Sequence, residues 1–267
     1  MISTDGQAPR APSNVLFAVE FGRAATELLA LMATAPFLTA APKGDGHDVL
    51  VLPGFALSDV STVPLRHYLK WLGYRTHGWG FGRNFGPRSI GEGGERLAEA
   101  IDRLTDGGRR KISLVGHSLG GVMARLYALD HPDVVRQVIC LGSPFVADPR
   151  MVNKTVASLY ERLTGDADGP ASSTLRAPPG VPCTAIFSRT DGLVTPANCT
   201  EAPSARAENI EVYGSHVGLI ANPAVFYAVA DRLSLPRDQW RPFDNVGWRR
   251  WAYGTHQRFA PAPAEAA

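Results

Sequence analysis

A chain of 267 residues, 45% hydrophobic and 19% charged, is long enough to bury a full core and fits one α/β domain that carries an insertion. A formal net charge of +2 with no run of basic residues gives no argument for a nucleic-acid or acidic-polymer partner, none is expected, and there is no internal repeat or P-loop. Three cysteines, with no Cys/His cluster at ligand spacing, predict no catalytic metal, and nothing in the chain predicts a cofactor.

Residues 14 to 35 form an apolar run rich in alanine and leucine, interrupted by Glu20, Arg23 and Glu27. A membrane-spanning helix would carry those charges near its centre, at roughly 2.5 to 3.5 kcal/mol each. The opening Met1-Ile2-Ser3-Thr4-Asp5 lacks the basic start of an export signal. The expectation is an amphipathic helix, within a segment 1–46, packed on the core or beside the mouth of a site. A cytoplasmic location is expected, with secretion or a peripheral membrane contact as the alternatives.

A strand is expected over 47–52, ending in Pro53-Gly54-Phe55, and another over 74–78. The loop from Trp79 to Pro87 alternates aromatics and glycines at a strand's carboxyl end, which suggests a pocket wall. Arg83 and Asn84 are read as pinning that loop rather than orienting a substrate.

The stretch Gly116-His117-Ser118-Leu119-Gly120-Gly121 separates a β-prone run, Lys111 to Val115, from a helix-prone one, Val122 to Asp130. The chain must therefore reverse sharply at Ser118, with Gly116 and Gly120 allowing strand and helix to approach. Such a turn projects the serine hydroxyl from the sheet edge. It also sets the Leu119 N–H at a helix N-terminus, where free amides and the helix dipole favour a developing oxyanion. Five residues of this pattern are weak alone; the flanking strand and helix give them weight.

A serine hydroxyl needs a base, and the base needs an acid to orient it. A buried strand is expected over 181–188, running into Asp191-Gly192, and a second over 207–213, followed by Gly214-Ser215-His216. Three groups on three post-strand loops, in the order Ser118, Asp191, His216, suit a doubly wound sheet. Each also has an ordinary reading: Asp-Gly is a common turn, and His216 fits a loop surface. Asp148 is the main rival acid. Of the other histidines, His47 precedes a strand, His77 lies at the end of one, His131 ends a helix, and His117 is expected to point away from the reactive face.

Cys140 lies in the apolar run 134–141 and reads as core filling. Cys183 and Cys199 flank the Asp191 loop; a disulfide between them would stiffen it, and free thiols are the default. The 36 residues from 145 to 180 are too many for a plain crossover, and hold a helix-like stretch, 151–163, followed by a soft segment, 165–173. A tail from Trp240 to Phe259 is dense in aromatics and is expected to pack back on the body.

With these motifs the chain resembles the α/β-hydrolase superfamily, and in particular bacterial lipases and esterases of the triacylglycerol-lipase type, over about residues 47 to 234. The resemblance implies a mostly parallel sheet, with the core in 47–145 and 181–235, a cap or lid in 146–180 and a tail in 236–267. Such lipases carry His-Gly after the first core strand; here Pro53 replaces the histidine. By resemblance, the Phe55 N–H joins that of Leu119 in an oxyanion hole. The implied reaction is cleavage of carboxylic esters with apolar acyl groups, aliphatic polyesters among the candidates, through an acyl-enzyme on Ser118. An acyltransferase with the same three residues, a hydrolase of other bonds, and a noncatalytic binding protein remain alternatives, and oligomeric state is not encoded.

Overall fold

The computed structural model describes residues 11–146, 148–164, 177–202 and 204–254. In chain order these form α1 (Asn14–Leu38), β1 (Asp48–Leu52), α2 (Asp59–Trp71), β2 (Arg75–Gly78), α3 (Pro87–Ile90), α4 (Glu95–Thr105), β3 (Ile112–His117) and α5 (Leu119–Asp130). Then come β4 (Val135–Leu141), α6 (Lys154–Thr164), β5 (Cys183–Ser188), β6 (Ala207–Val212), α7 (Pro223–Leu233) and α8 (Arg249–Ala252). The six strands form one sheet in the order β2-β1-β3-β4-β5-β6, and all five pairings are parallel.

The inner strands β1, β3, β4 and β5 are rich in apolar residues because helices cover both faces of the sheet. Alternate residues of β1 enter different cores, as a side-chain period of two requires. Val49 and Val51 pack with Leu65 and Leu69 of α2 and Phe226 and Val229 of α7. Leu50 and Leu52 pack with Ile101 of α4 and Val122 and Ala128 of α5. The chain winds outward from β1 to β2 and returns to β3 on the other side of β1. That reversal opens a crevice at the carboxyl ends of β1 and β3, where a parallel sheet binds its ligands.

At this crevice a single residue, Ser118, separates β3 from α5. The close packing depends on missing side chains: a Cβ on Gly116 would lie 2.3 Å from the Gly121 Cα, and one on Gly120 would lie 2.5 Å from the Leu52 carbonyl oxygen.

Helix α1 lies against α7 and a short 3-10 helix, Val217–Ala221. Its inward side is mixed, with Leu38 buried and Leu31 packed on the core beside polar groups. Glu20 is buried at 1% exposure, while Phe21, Leu29, Met32 and Phe37 face outward. Among the described residues no helix is long and apolar enough to cross a membrane.

The helix expected over 151–163 is α6, whose Tyr160 packs on Phe55 with ring centroids 5.1 Å apart. Val152 bridges Val194, and the Asn153 N–H donates to the Leu193 carbonyl at 2.7 Å, so this segment is stitched to the strand end that carries Asp191. The soft segment 165–173 and Phe259 lie outside the described residues. Within the tail, Phe243 and Tyr253 are buried against each other, and the Tyr253 hydroxyl donates to the Ala224 carbonyl at 2.7 Å; Trp251 stays exposed. Cys140, Cys183 and Cys199 are free thiols, all buried; burial pushes Cys140 up to about 12, and the other two also rise.

Gly116→Ala should lower folding stability by about 1–3 kcal/mol, since the added methyl meets backbone that cannot move aside. A urea titration should show a lower midpoint at unchanged slope.

Candidate active site

Ser118 adopts φ 51° and ψ −122°, a left-handed backbone that strains any residue but glycine. Its N–H donates to the Leu141 carbonyl at 2.8 Å, and its own carbonyl accepts from the Gly121 N–H at 3.0 Å. These bonds hold the turn and leave the side chain at the carboxyl edge of the sheet.

Asp191 stands three residues beyond β5. Its Oδ1 accepts from the N–H groups of Leu193 at 2.8 Å and Val194 at 2.7 Å, which fixes the carboxylate. Its Oδ2 accepts from His216 Nδ1 at 2.6 Å. With Nδ1 protonated, Nε2 of His216 is left to accept the Ser118 hydroxyl, 3.0 Å away. The structure therefore joins Ser118, His216 and Asp191, from three separate loops, in one chain of hydrogen bonds. Asp148, the rival acid, binds Arg150 through both carboxylate oxygens, at 2.9 and 2.7 Å.

His216 is buried, and burial works against its charged form. The charge of Asp191 and its hydrogen bond, with a smaller contribution from the charge of Glu20, outweigh that and raise its pKa above 6.5. An imidazole in this setting can take a proton from Ser118 and keep it.

His117 lies off the path from Ser118 through His216 to Asp191. It is buried beneath the site, with Nε2 donating to the His216 carbonyl at 3.0 Å and the two rings 5.2 Å apart. Burial, then the neighbouring His216, lowers its pKa to about 4, so it is held neutral as a donor. Its place in the Gly-His-Ser sequence marked it only as the serine's neighbour; the contact to His216 crosses 99 residues.

The loop after β1 leans over the serine. A Cβ on Gly54 would lie 3.3 Å from the Ser118 Cβ and 3.0 Å from His117 Nδ1, so a larger residue there would press on both side chains. Phe55 follows at the turn. Asn84, fully buried, grips this loop from both sides: Nδ2 donates to the Pro53 carbonyl at 2.7 Å, its carbonyl accepts from the Ala56 N–H at 2.7 Å, and its N–H donates to the Leu57 carbonyl at 2.8 Å. Arg83 adds a bond to the Ala56 carbonyl at 3.2 Å. Both residues pin the loop, and Asn84 supplies the bracing that Pro53 cannot. The Leu119 N–H occupies the first position of α5, where helix geometry provides no intrahelical acceptor. Phe55, Phe85 and Tyr160 form an aromatic wall nearby.

A second Ser-His-Asp set lies at the opposite end of the sheet. His47 Nε2 is 2.8 Å from Ser113 Oγ, and its Nδ1 is 2.5 Å from Asp45 Oδ1. Ser113 is wholly buried inside β3, and Arg136 binds the same Asp45 carboxylate at 2.7 Å. With no access for a reactant, this set staples strands together. His77, on β2, pairs with Asp48 at 2.9 Å. Among the described residues no three His, Cys, Asp or Glu side chains could hold a metal ion together.

The chain belongs to the alpha/beta hydrolase fold family, whose sequence model matches residues 38–210. No curated protein matches it by sequence. Several solved structures share its fold. Lipase B of Aspergillus fumigatus is 18% identical over 73% of this chain, with a TM-score of 0.53, although this chain spans only 55% of that one. The monoacylglycerol lipase of Paleococcus ferrophilus is 14% identical over 73% of this chain and 96% of its own, with a TM-score of 0.51. A structure from the metagenome-derived lipolytic enzymes LipS and LipT is 17% identical over 67% of this chain and 89% of its own, with a TM-score of 0.50. At such identities the likeness is one of fold.

Two outcomes follow from the supports of the site. Asn84→Ala should destabilise the protein by about 1–3 kcal/mol, because it strands the buried carbonyl of Pro53; thermal unfolding reads this. His117 is neutral in the folded protein down to about 4, so its contribution to stability is complete above 6.5 and is lost as pH falls towards 4. His117→Gln should flatten the decline of stability across that interval, measured by urea unfolding at each pH.

Proposed function

We propose that this protein is a serine hydrolase that cleaves carboxylic esters through an acyl-enzyme. The observation that carries the reading is the unbroken path of hydrogen bonds from Ser118 Oγ through His216 to Asp191, set at the switch point of the sheet. In this mechanism His216 Nε2 takes the proton of Ser118 as Oγ attacks the ester carbonyl. Asp191 holds the ring and stabilises the imidazolium. The backbone N–H groups of Phe55 and Leu119 receive the charge that develops on the carbonyl oxygen. The imidazolium then protonates the leaving alcohol, and a water activated by His216 releases the acid and restores the serine.

The aromatic wall of Phe55, Phe85 and Tyr160 supports an apolar acyl group. The position of α6 on Phe55 supports a cap that covers the serine and excludes water. Solved structures of similar fold described as lipases favour esters over other acyl compounds. Aliphatic polyester segments fit the same chemistry.

Hydrolysis of p-nitrophenyl esters from acetate to palmitate tests the reading. Ser118→Ala should reduce kcat by about 10⁴-fold or more and abolish labelling by a serine-directed phosphonate, with the fold intact. Retained activity would displace Ser118 as nucleophile, and product appearing only with an added alcohol acceptor would make the protein a transferase. The acidic limb of kcat/KM should have its midpoint above 6.5, because neutral His216 is the base and its pKa is raised. In Asp191→Asn the midpoint should fall and kcat drop by about 10⁴-fold.

A further inference from the structure

Helix α1 lies almost entirely before residues 38–210, the part matched by the family model, yet it makes some of the most specific contacts around the site. Glu20 is buried, and among the described residues no cation pairs with it. Its Oε1 accepts from the N–H of Gly192 at 2.7 Å and from the N–H of His216 at 3.1 Å; its Oε2 accepts from the Val217 N–H at 3.0 Å. Gly192 directly follows the acid, and His216 is the base. One carboxylate thus ties together the two loops whose spacing sets the Asp191 to His216 bond.

The neighbouring charges on the same stripe do the same work. Arg23 donates to the Thr190 carbonyl at 2.6 Å and to Thr190 Oγ1 at 2.7 Å. Glu27 accepts from the Ser215 N–H at 2.6 Å. Positions 20, 23 and 27 share one face of a helix. The docking is close, since a Cβ on Gly192 would lie 2.6 Å from the backbone carbon of Leu16. A helix on a protein surface ordinarily buries its apolar stripe; this one exposes Phe21, Leu29 and Met32, and its inward side carries buried Glu20 with half-buried Arg23 and Glu27 beside Leu31 and Leu38. Apolar packing at Leu31 and Leu38 seats the carboxyl-terminal part of the helix, and charge-assisted bonds to two loops hold its middle over the site.

We propose that Glu20 is a positioning residue for the Ser118-His216-Asp191 relay, its carboxylate fixing the backbone on which both acid and base stand, with Arg23 and Glu27 as its supports. The inference rests on the hydrolase reading for its effect on turnover, and on the geometry alone for its effect on His216. A buried negative charge at this distance also favours the imidazolium that forms as Ser118 gives up its proton.

The test compares full-length wild type with Glu20→Gln, Glu20→Asp and Glu27→Gln. In Glu20→Gln, the His216 imidazole followed by NMR without substrate should titrate at lower pH than in wild type, and Glu20→Asp, which keeps the charge, should restore much of the difference. With a p-nitrophenyl ester, kcat should fall about ten- to a hundredfold while KM stays within about twofold, and the acidic limb should move down with the NMR titration. Glu27→Gln should lower kcat by a smaller factor and leave the titration nearer to wild type; it carries the kinetic test should Glu20→Gln not fold. A folded Glu20→Gln with the wild-type titration and kcat overturns the proposal, as does a loss of kcat that Glu20→Asp shares in full with no change in titration. If wild type cleaves no ester, the hydrolase reading fails by itself, and the NMR comparison still decides the role of Glu20.

Discussion

The close crossing of β3 and α5 is the constraint from which the rest of the site follows. Gly116 and Gly121 touch where any larger pair would hold strand and helix apart, so the chain reverses within one residue and Ser118 is left with a positive φ. Strain of this kind persists only where the surroundings over-determine it. Here the Ser118 N–H is tied to β4 through Leu141, and α5 is seated against the end of β1 through Gly120. The turn leaves an N–H at the start of α5 and a hydroxyl at the sheet edge, side by side. Moving either would require moving two core elements.

The other half of the site is held less directly. Asp191 and His216 belong to loops beyond β5 and β6, and the sheet alone sets their roots but not their tips. Three layers of support act on those tips. Asp191 is clamped by its own turn through Leu193 and Val194, His216 is held from below by His117, and both loops are held from the side by α1. The β1 loop receives the same treatment from Asn84. In each case a buried side chain bonds to backbone rather than to another side chain, which fixes a path of the chain and leaves the reacting side chains free to exchange protons.

The Ser113-His47-Asp45 set shows how little residue types decide. Its distances resemble those of the Ser118 set, but Ser113 lies within β3 with its hydroxyl enclosed, and Arg136 engages the acid. Burial and a competing cation turn the same three groups into a staple. Ser118 differs from Ser113 in standing at a strand end, at the crevice, with a positive φ.

The elbow at Ser118, the strands that flank it and the order Ser, Asp, His were legible in the sequence because each rests on local physics: glycines where a Cβ cannot fit, apolar runs that suit a covered sheet, and turns at strand ends. The pinning by Arg83 and Asn84 was legible as a tendency of the loop, though not the carbonyl of Pro53 that Asn84 holds. The inward charges of α1 were not legible. Periodicity reports that Glu20, Arg23 and Glu27 share a face, and the usual rule turns such a face to water, whereas polar groups on two distant loops draw it inward, with Glu20 buried and the other two half-buried. The bond made by His117 was not legible for the same reason, since its partner is a carbonyl 99 residues away. Sequence by itself determined which local turns and strands could form. Only the tertiary structure decided which buried polar groups would meet, because a hydrogen bond between distant segments depends on where the whole chain places donor and acceptor, and no local pattern encodes that.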